Sequence, residues 1–256
     1  MIVSARQRVL PWPAPVACIG AIVACQIVTL AAGPTAGAVG DAVVVFAALN
    51  VYARRSELRP AAALAVLALV PLMMLIGAAI PGKHLAPALR DGLVAALLLQ
   101  ALWVTAGIVS LDWAPLELPG RDVRRQLRIA ACGIPLGIVA ELLLRPHPLV
   151  RAGNPAGIVV AVVVLGCLAA PSLELLFRWA VQDQLAALYG DAGLVVTNVL
   201  FAGLYLVTGS AGYVALMGIT GLGLSLAVRR TGSVWGAVGA HALLTVGALV
   251  IWPLVL

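Results

Sequence analysis

Nine apolar runs separated by short polar breaks recur along this chain, near 14–32, 39–53, 61–80, 90–110, 127–144, 157–185, 193–208, 213–228 and 234–252. A helix that crosses the hydrocarbon core, about 30 Å thick, needs about 20 such residues and satisfies every backbone amide within itself. The pattern therefore predicts an all-α, polytopic transmembrane helix bundle of about eight to nine spans. Composition agrees: 63% of residues are hydrophobic, 10% are charged and mean hydropathy is +1.10. A water-soluble domain is roughly 45–50% apolar and about 25% charged, so this chain lacks the polar surface to cover itself. Membrane lipids are its expected surroundings.

The net charge of +6 does not make a nucleic-acid footprint. Fifteen of the sixteen basic residues are arginine, and they lie between apolar runs as cytoplasmic anchors do. With a cytoplasmic N-terminus, the inner segments hold Arg6, Arg8, Arg54, Arg55, Arg59, Arg121, Arg124, Arg125, Arg128, Arg229 and Arg230. The outer segments hold only Lys83, Arg90, Arg145 and Arg151. That asymmetry predicts N-in, C-out, and it favours reading 157–185 as one crossing kinked by Pro171 rather than two elements. Arginine over lysine, with abundant Ala, Val and Gly, points to a GC-rich bacterial genome, hence to the bacterial inner or plasma membrane. The first 33 residues resemble a signal peptide, with Arg6 and Arg8 before an apolar run. That run is longer than the usual 7–15 residues, so it reads as the first span.

The long polar segment Asp112–Arg128 reads as a loop whose basic end leads amphipathically into the fifth span. No sequence repeat divides the chain. The expected organisation is one continuous membrane domain, with N-terminal helices over 1–89 and the functional core over 90–256. Cys18, Cys25, Cys132 and Cys167 lie within apolar runs without a CxxC pair, as small helix residues.

An ionisable side chain deep in a bilayer costs at least about 2.5–3.5 kcal/mol to insert, which makes it a functional candidate. Asp41 and Glu141 fall near span ends, whereas Glu174, Arg178 and His241 fall well inside. Glu141 and Arg145, four apart, are expected to pair at an outer helix end. Asn50, Gln100 and Asn198 are expected to hydrogen-bond between helices. Glu174 and Arg178 share one helix face at i and i+4, which suits either a site or an ion pair that only holds helices together. His241 taken alone reads as a satisfied core histidine before it reads as a catalyst. No metal centre is expected, because His84 and His147 fall in outer loops and a catalytic zinc needs at least three protein ligands. No cofactor is expected either.

Taken together, three segments resemble the CPBP family, the CAAX-protease and bacteriocin-processing intramembrane proteases. That family carries EExxxR on one helix, FxxxH on a second, and a histidine followed four residues later by asparagine on a third. Here they read Leu173-Glu174-Leu175-Leu176-Phe177-Arg178, then Phe201-Ala202-Gly203-Leu204-Tyr205, then His241 through Thr245. The run Arg229-Arg230-Thr231-Gly232-Ser233-Val234-Trp235 resembles the family's approach to that histidine, and the likeness extends over roughly 90–252. It implies an intramembrane endopeptidase whose first glutamate and second-motif histidine activate water, and whose last histidine and asparagine stabilise the oxyanion. Those positions are Leu173, Tyr205, His241 and Thr245.

The resemblance thus carries over Glu174, Arg178 and His241 but not the water-activating pair. Leucine has no base, and tyrosine is a poor base that can donate a hydrogen bond. Glu174 could serve as a displaced base only if it turned away from Arg178. Asp183, nine residues on, falls on the opposite helix face. Two functions fit these residues. One is a peptide- or lipidated-protein-cleaving membrane endopeptidase with impaired catalysis. The other is a non-catalytic scaffold or regulatory pseudoprotease that binds a membrane protein partner or lipid. A small transporter is a third, weaker fit, since it needs paired broken helices and only Pro171 interrupts one.

Overall fold

The computed structural model describes residues 13–81, 85–117, 122–146, 149–151 and 153–255. Arg6, Arg8, Lys83, His84, Arg121 and His147 lie outside the described residues. Among those described there is no strand, and nine helices are long and apolar enough to span a membrane. They are α1 (Pro13–Ala32), α2 (Pro34–Arg55), α3 (Pro60–Ala79), α4 (Pro87–Val109), α5 (Val123–Leu144), α6 (Pro155–Tyr189), α7 (Asp191–Thr208), α8 (Ala211–Thr231) and α9 (Trp235–Val255). Most begin at or beside proline, whose fixed φ and missing amide suit a first helical turn. The chain is a multi-pass membrane protein.

Hydrogen bonds tie the loops at each end of the bundle to one another. Val234 donates its amide to Pro115 O (3.2 Å), and the indoles of Trp235 and Trp179 donate to Leu116 O (3.0 Å) and Asp112 O (2.6 Å). The α4–α5 loop is thereby fastened to α6 and to the start of α9. At the other end Ser210 donates to Leu143 O (3.4 Å), joining the α7–α8 loop to the end of α5. From α5 to α9 successive helices therefore alternate in direction. Large apolar side chains such as Phe46, Trp103, Ile108, Leu127, Val159 and Ile219 face outward, as a lipid solvent allows.

The long run 157–185 is one helical element, extended to 155–189. Pro171 does not end it. Two π-helical stretches, Leu165–Ala169 and Leu175–Val181, flank the proline segment and take up the lost amide bond. The basic lead-in to the fifth span is itself the start of α5, and Gln126 there is buried, accepting from the Gly236 amide (2.5 Å).

Three expected polar pairings do not form. Asn50 is exposed and donates to Phe46 O one turn back on its own helix (2.9 Å), and Gln100 is exposed. An i−4 carbonyl is always within reach of an asparagine on a helix, so no neighbour is needed. Arg145 adopts a left-handed backbone (φ 44°) that closes the end of α5 by an amide bond to Glu141 O (2.6 Å), and its side chain makes no ion pair with Glu141. The cap that ends the helix takes the arginine off the i+4 line.

Close helix crossings depend on missing Cβ atoms. A methyl group on Gly133 of α5 would fall on the Ala240 carbonyl of α9, whereas one on Gly223 of α8 would meet nothing within 4 Å. Gly133→Ala should lower stability by about 1–3 kcal/mol because backbone cannot move aside as a side-chain tip can. Gly223→Ala should be neutral or slightly stabilising, since alanine is the better helix former. Thermal unfolding of the two variants in detergent compares them directly.

Candidate active site

Glu174 ends the Pro171 segment of α6, where the helix widens into its second π-helical stretch. Its side chain is fully buried. Oε1 accepts from His241 Nδ1 on α9 at 2.8 Å. Oε2 lies 3.2 Å from Arg178 Nε, close enough for charge pairing though off the line of an N–H···O bond. Both carboxylate oxygens are thus engaged. Charges buried so completely lose their hydration, and each requires a partner to persist.

Aromatic rings close the other sides. The Arg178 guanidinium stacks over Phe201 of α7, 4.4 Å from its centroid, a cation–π contact strengthened by the absence of water. Phe201 also meets Phe177, Tyr205 and His241 edge to face, at 5.3, 5.4 and 5.7 Å between centroids. Gly221 of α8 makes room for this group, since a Cβ there would approach the Arg178 guanidinium, Asn198 and Phe201 to within 3 Å. Beneath it, Asn198 Nδ2 donates to Ser225 Oγ (3.0 Å) and Gln182 Nε2 donates to Ser225 O (3.3 Å), linking α6, α7 and α8. Asn198 is therefore an interhelical hydrogen-bonder.

Because His241 Nδ1 is bound to Glu174, Nε2 is the nitrogen that faces away from the carboxylate. Tyr205 Oη lies 3.4 Å from it. Carboxylate, imidazole and phenol from three helices therefore form one chain. Tyr205 and His241 line a hollow of about 210 Å³ together with Thr245, Leu173, Ser172 and Tyr213. A second hollow of about 420 Å³ adjoins it through Met73, Asp91, Val94, Leu173 and Tyr205, and runs toward the end of α3 and the start of α4.

Glu174 does not line either hollow. Asp183 is exposed and also apart from both. Leu173, at the glutamate position of the EExxxR pattern, is on the wall. Among the described residues no group of three His, Cys, Asp or Glu gathers as a metal site.

Sequence reasoning did not single out Asp91 and Tyr213, which line the same hollow. Asp91 lies beside Arg90 at the start of an apolar run, where a charge reads as a boundary. Its signal was its position four residues past the helix-starting Pro87, already inside the span. Tyr213 carried no signal beyond an ordinary aromatic at a helix start.

Removing one member of the buried charge pair should cost more than removing both. Arg178→Leu alone should destabilise by about 3–5 kcal/mol, because it leaves Glu174 without its cation, and Glu174→Leu with Arg178→Leu should recover most of that loss. Unfolding of both variants in mixed micelles measures the difference.

Residues 155–247 match the family model described as type II CAAX prenyl endopeptidase Rce1-like. No curated protein and no solved structure matches the chain. The matched stretch contains the positions of all three motifs, Leu173, Glu174, Arg178, Tyr205, His241 and Thr245. This segment, α6 to most of α9, is thus similar to the CAAX prenyl endopeptidases.

Proposed function

We propose that this protein is a CAAX-protease-like intramembrane endopeptidase that takes the end of a membrane-bound peptide or lipidated protein into its hollow and hydrolyses it slowly. The observation that carries this reading is the unbroken contact from Arg178 through Glu174 and His241 to Tyr205 at the hollow's wall. Such a chain fixes the imidazole and phenol in place before substrate arrives. Preorganised donors of this kind are worth most where water is excluded.

Each residue has a role in the reading. Glu174 is the organiser that holds His241, and Arg178 pairs with Glu174 and aims it. Tyr205, backed by His241, and Thr245 one turn further along α9 present the polar wall to a substrate carbonyl. Leu173 and Tyr205 stand where the family pattern has its water-activating pair, which accounts for the low rate. The protein would reside in a bacterial inner or plasma membrane with its N-terminus in the cytoplasm. In that setting 90–256 would be the catalytic core and 1–89 helices added to it.

One observation favours a second reading. Leucine and tyrosine line the hollow at both water-activating positions, and Glu174 is sealed from it. A protein so built could bind the same peptide end without turnover, as a pseudoprotease that regulates a membrane partner.

Purified protein in liposomes, given prenylated and unprenylated peptide reporters, separates the two. The endopeptidase reading expects slow cleavage of a reporter that falls about 100- to 1,000-fold in Tyr205→Phe, the usual loss for one oxyanion-site donor. Capture of the reporter without cleavage would select the pseudoprotease.

A further inference from the structure

Amide hydrolysis needs a group to take the proton of the attacking water, and neither family position supplies one here. Glu174 is fully buried with both oxygens engaged. His241 has Nδ1 committed to Glu174 and Tyr205 Oη against Nε2. Among the described residues, the hollow that holds Tyr205, His241 and Thr245 has one carboxylate on its wall, Asp91 of α4. The residue is half-buried and lines both adjoining hollows, as Leu173 does. Its neighbour Arg90 directs its guanidinium to the Gly77 carbonyl at the end of α3 (2.5 Å). Asp91 lies outside residues 155–247, on a helix that the family match does not include.

We propose that Asp91 is the general base of this site, a carboxylate on α4 that takes over the task of the glutamate position occupied by Leu173. The inference rests on the endopeptidase reading above. A water held between Asp91 and the polar wall gives a proton to the Asp91 carboxylate as its oxygen bonds to the substrate carbonyl carbon. The carbonyl π pair moves onto the oxygen, which accepts hydrogen bonds from the Thr245 hydroxyl and from the Tyr205 hydroxyl as it turns from His241 Nε2. Collapse of that intermediate breaks the C–N bond, and the proton on Asp91 passes to the departing nitrogen. One water is consumed, and a carboxylic acid and an amine leave. The two halves of the chemistry come from different helices around one hollow, with Asp91 on α4 and the donors on α7 and α9.

The test uses the full chain in liposomes with a prenylated peptide reporter that also carries a photo-crosslinker, so that capture and cleavage are read separately. Removing a general base lowers rate by about 10²–10⁴. Asp91→Asn should therefore cut cleavage at least about 100-fold while capture stays at the wild-type level. Asp91→Asn combined with Leu173→Glu should regain at least about tenfold, because a carboxylate returns to the same hollow from α6.

Wild-type cleavage by Asp91→Asn would overturn the inference and leave the endopeptidase reading intact, with His241 as the remaining base. Loss of cleavage that Leu173→Glu fails to restore, with capture kept, would also overturn it. Wild-type protein that captures the reporter but never cleaves it leaves Asp91 without a proton to take, and the inference falls with turnover while binding stands. Neither capture nor cleavage by wild type would remove the endopeptidase reading itself.

Discussion

A fully buried carboxylate held between a guanidinium and an imidazole sets the terms for the last four helices. Glu174 is 0% exposed, Arg178 2% and His241 3%, so none of the three can recover its hydration from solvent. The carboxylate and the guanidinium persist as each other's partner, and the imidazole bonds the carboxylate's other oxygen. That mutual dependence positions α6 against α9, brings Tyr205 of α7 to the imidazole, and seats the guanidinium on Phe201. Apolar residues of similar volume would hold the helices at least as well. The retained charges therefore fit a positioned site better than simple adhesion between helices.

Packing around the pair explains why it can exist at all. Phe201 touches Phe177, Tyr205, His241 and the Arg178 guanidinium, so one ring excludes lipid and water from four partners. Gly221 leaves the space the guanidinium occupies, and Gly133 brings α5 against the backbone of α9 beside His241. The π-helical widening on either side of Pro171 lets α6 continue through the site without an internal proline defect. In lipid, where apolar burial drives little helix association, such close small-residue contacts and interior hydrogen bonds carry much of the packing.

The spans were legible because lipid imposes a length and a composition that no loop shares, and the nine apolar runs became nine helices with shifted ends. The family likeness was legible from Phe177-Arg178 and the approach to His241, since spacing within a helix survives in sequence. Side-chain partners were less so. Asn50 and Arg145 had local backbone alternatives that a residue-type rule cannot weigh, and both took them. Glu174 could be placed on a face with Arg178, but its sealing by Phe201 and His241 depends on two distant helices. Asp91 was missed because a charge one residue into an apolar run looks like punctuation, and only the fold turns α4 toward Leu173 and Tyr205.

The account depends most directly on the bond from His241 to Glu174, which fixes where the imidazole carries its proton. Nitrogen-15 NMR of histidine-labelled protein in lipid, with His241→Ala to assign the signal, reads that proton directly. The account predicts a protonated Nδ1 and a bare Nε2, with the pattern disturbed in Glu174→Gln. A neutral ring protonated at Nε2 and indifferent to Glu174→Gln would contradict it, because the carboxylate would then not be holding the histidine toward the hollow.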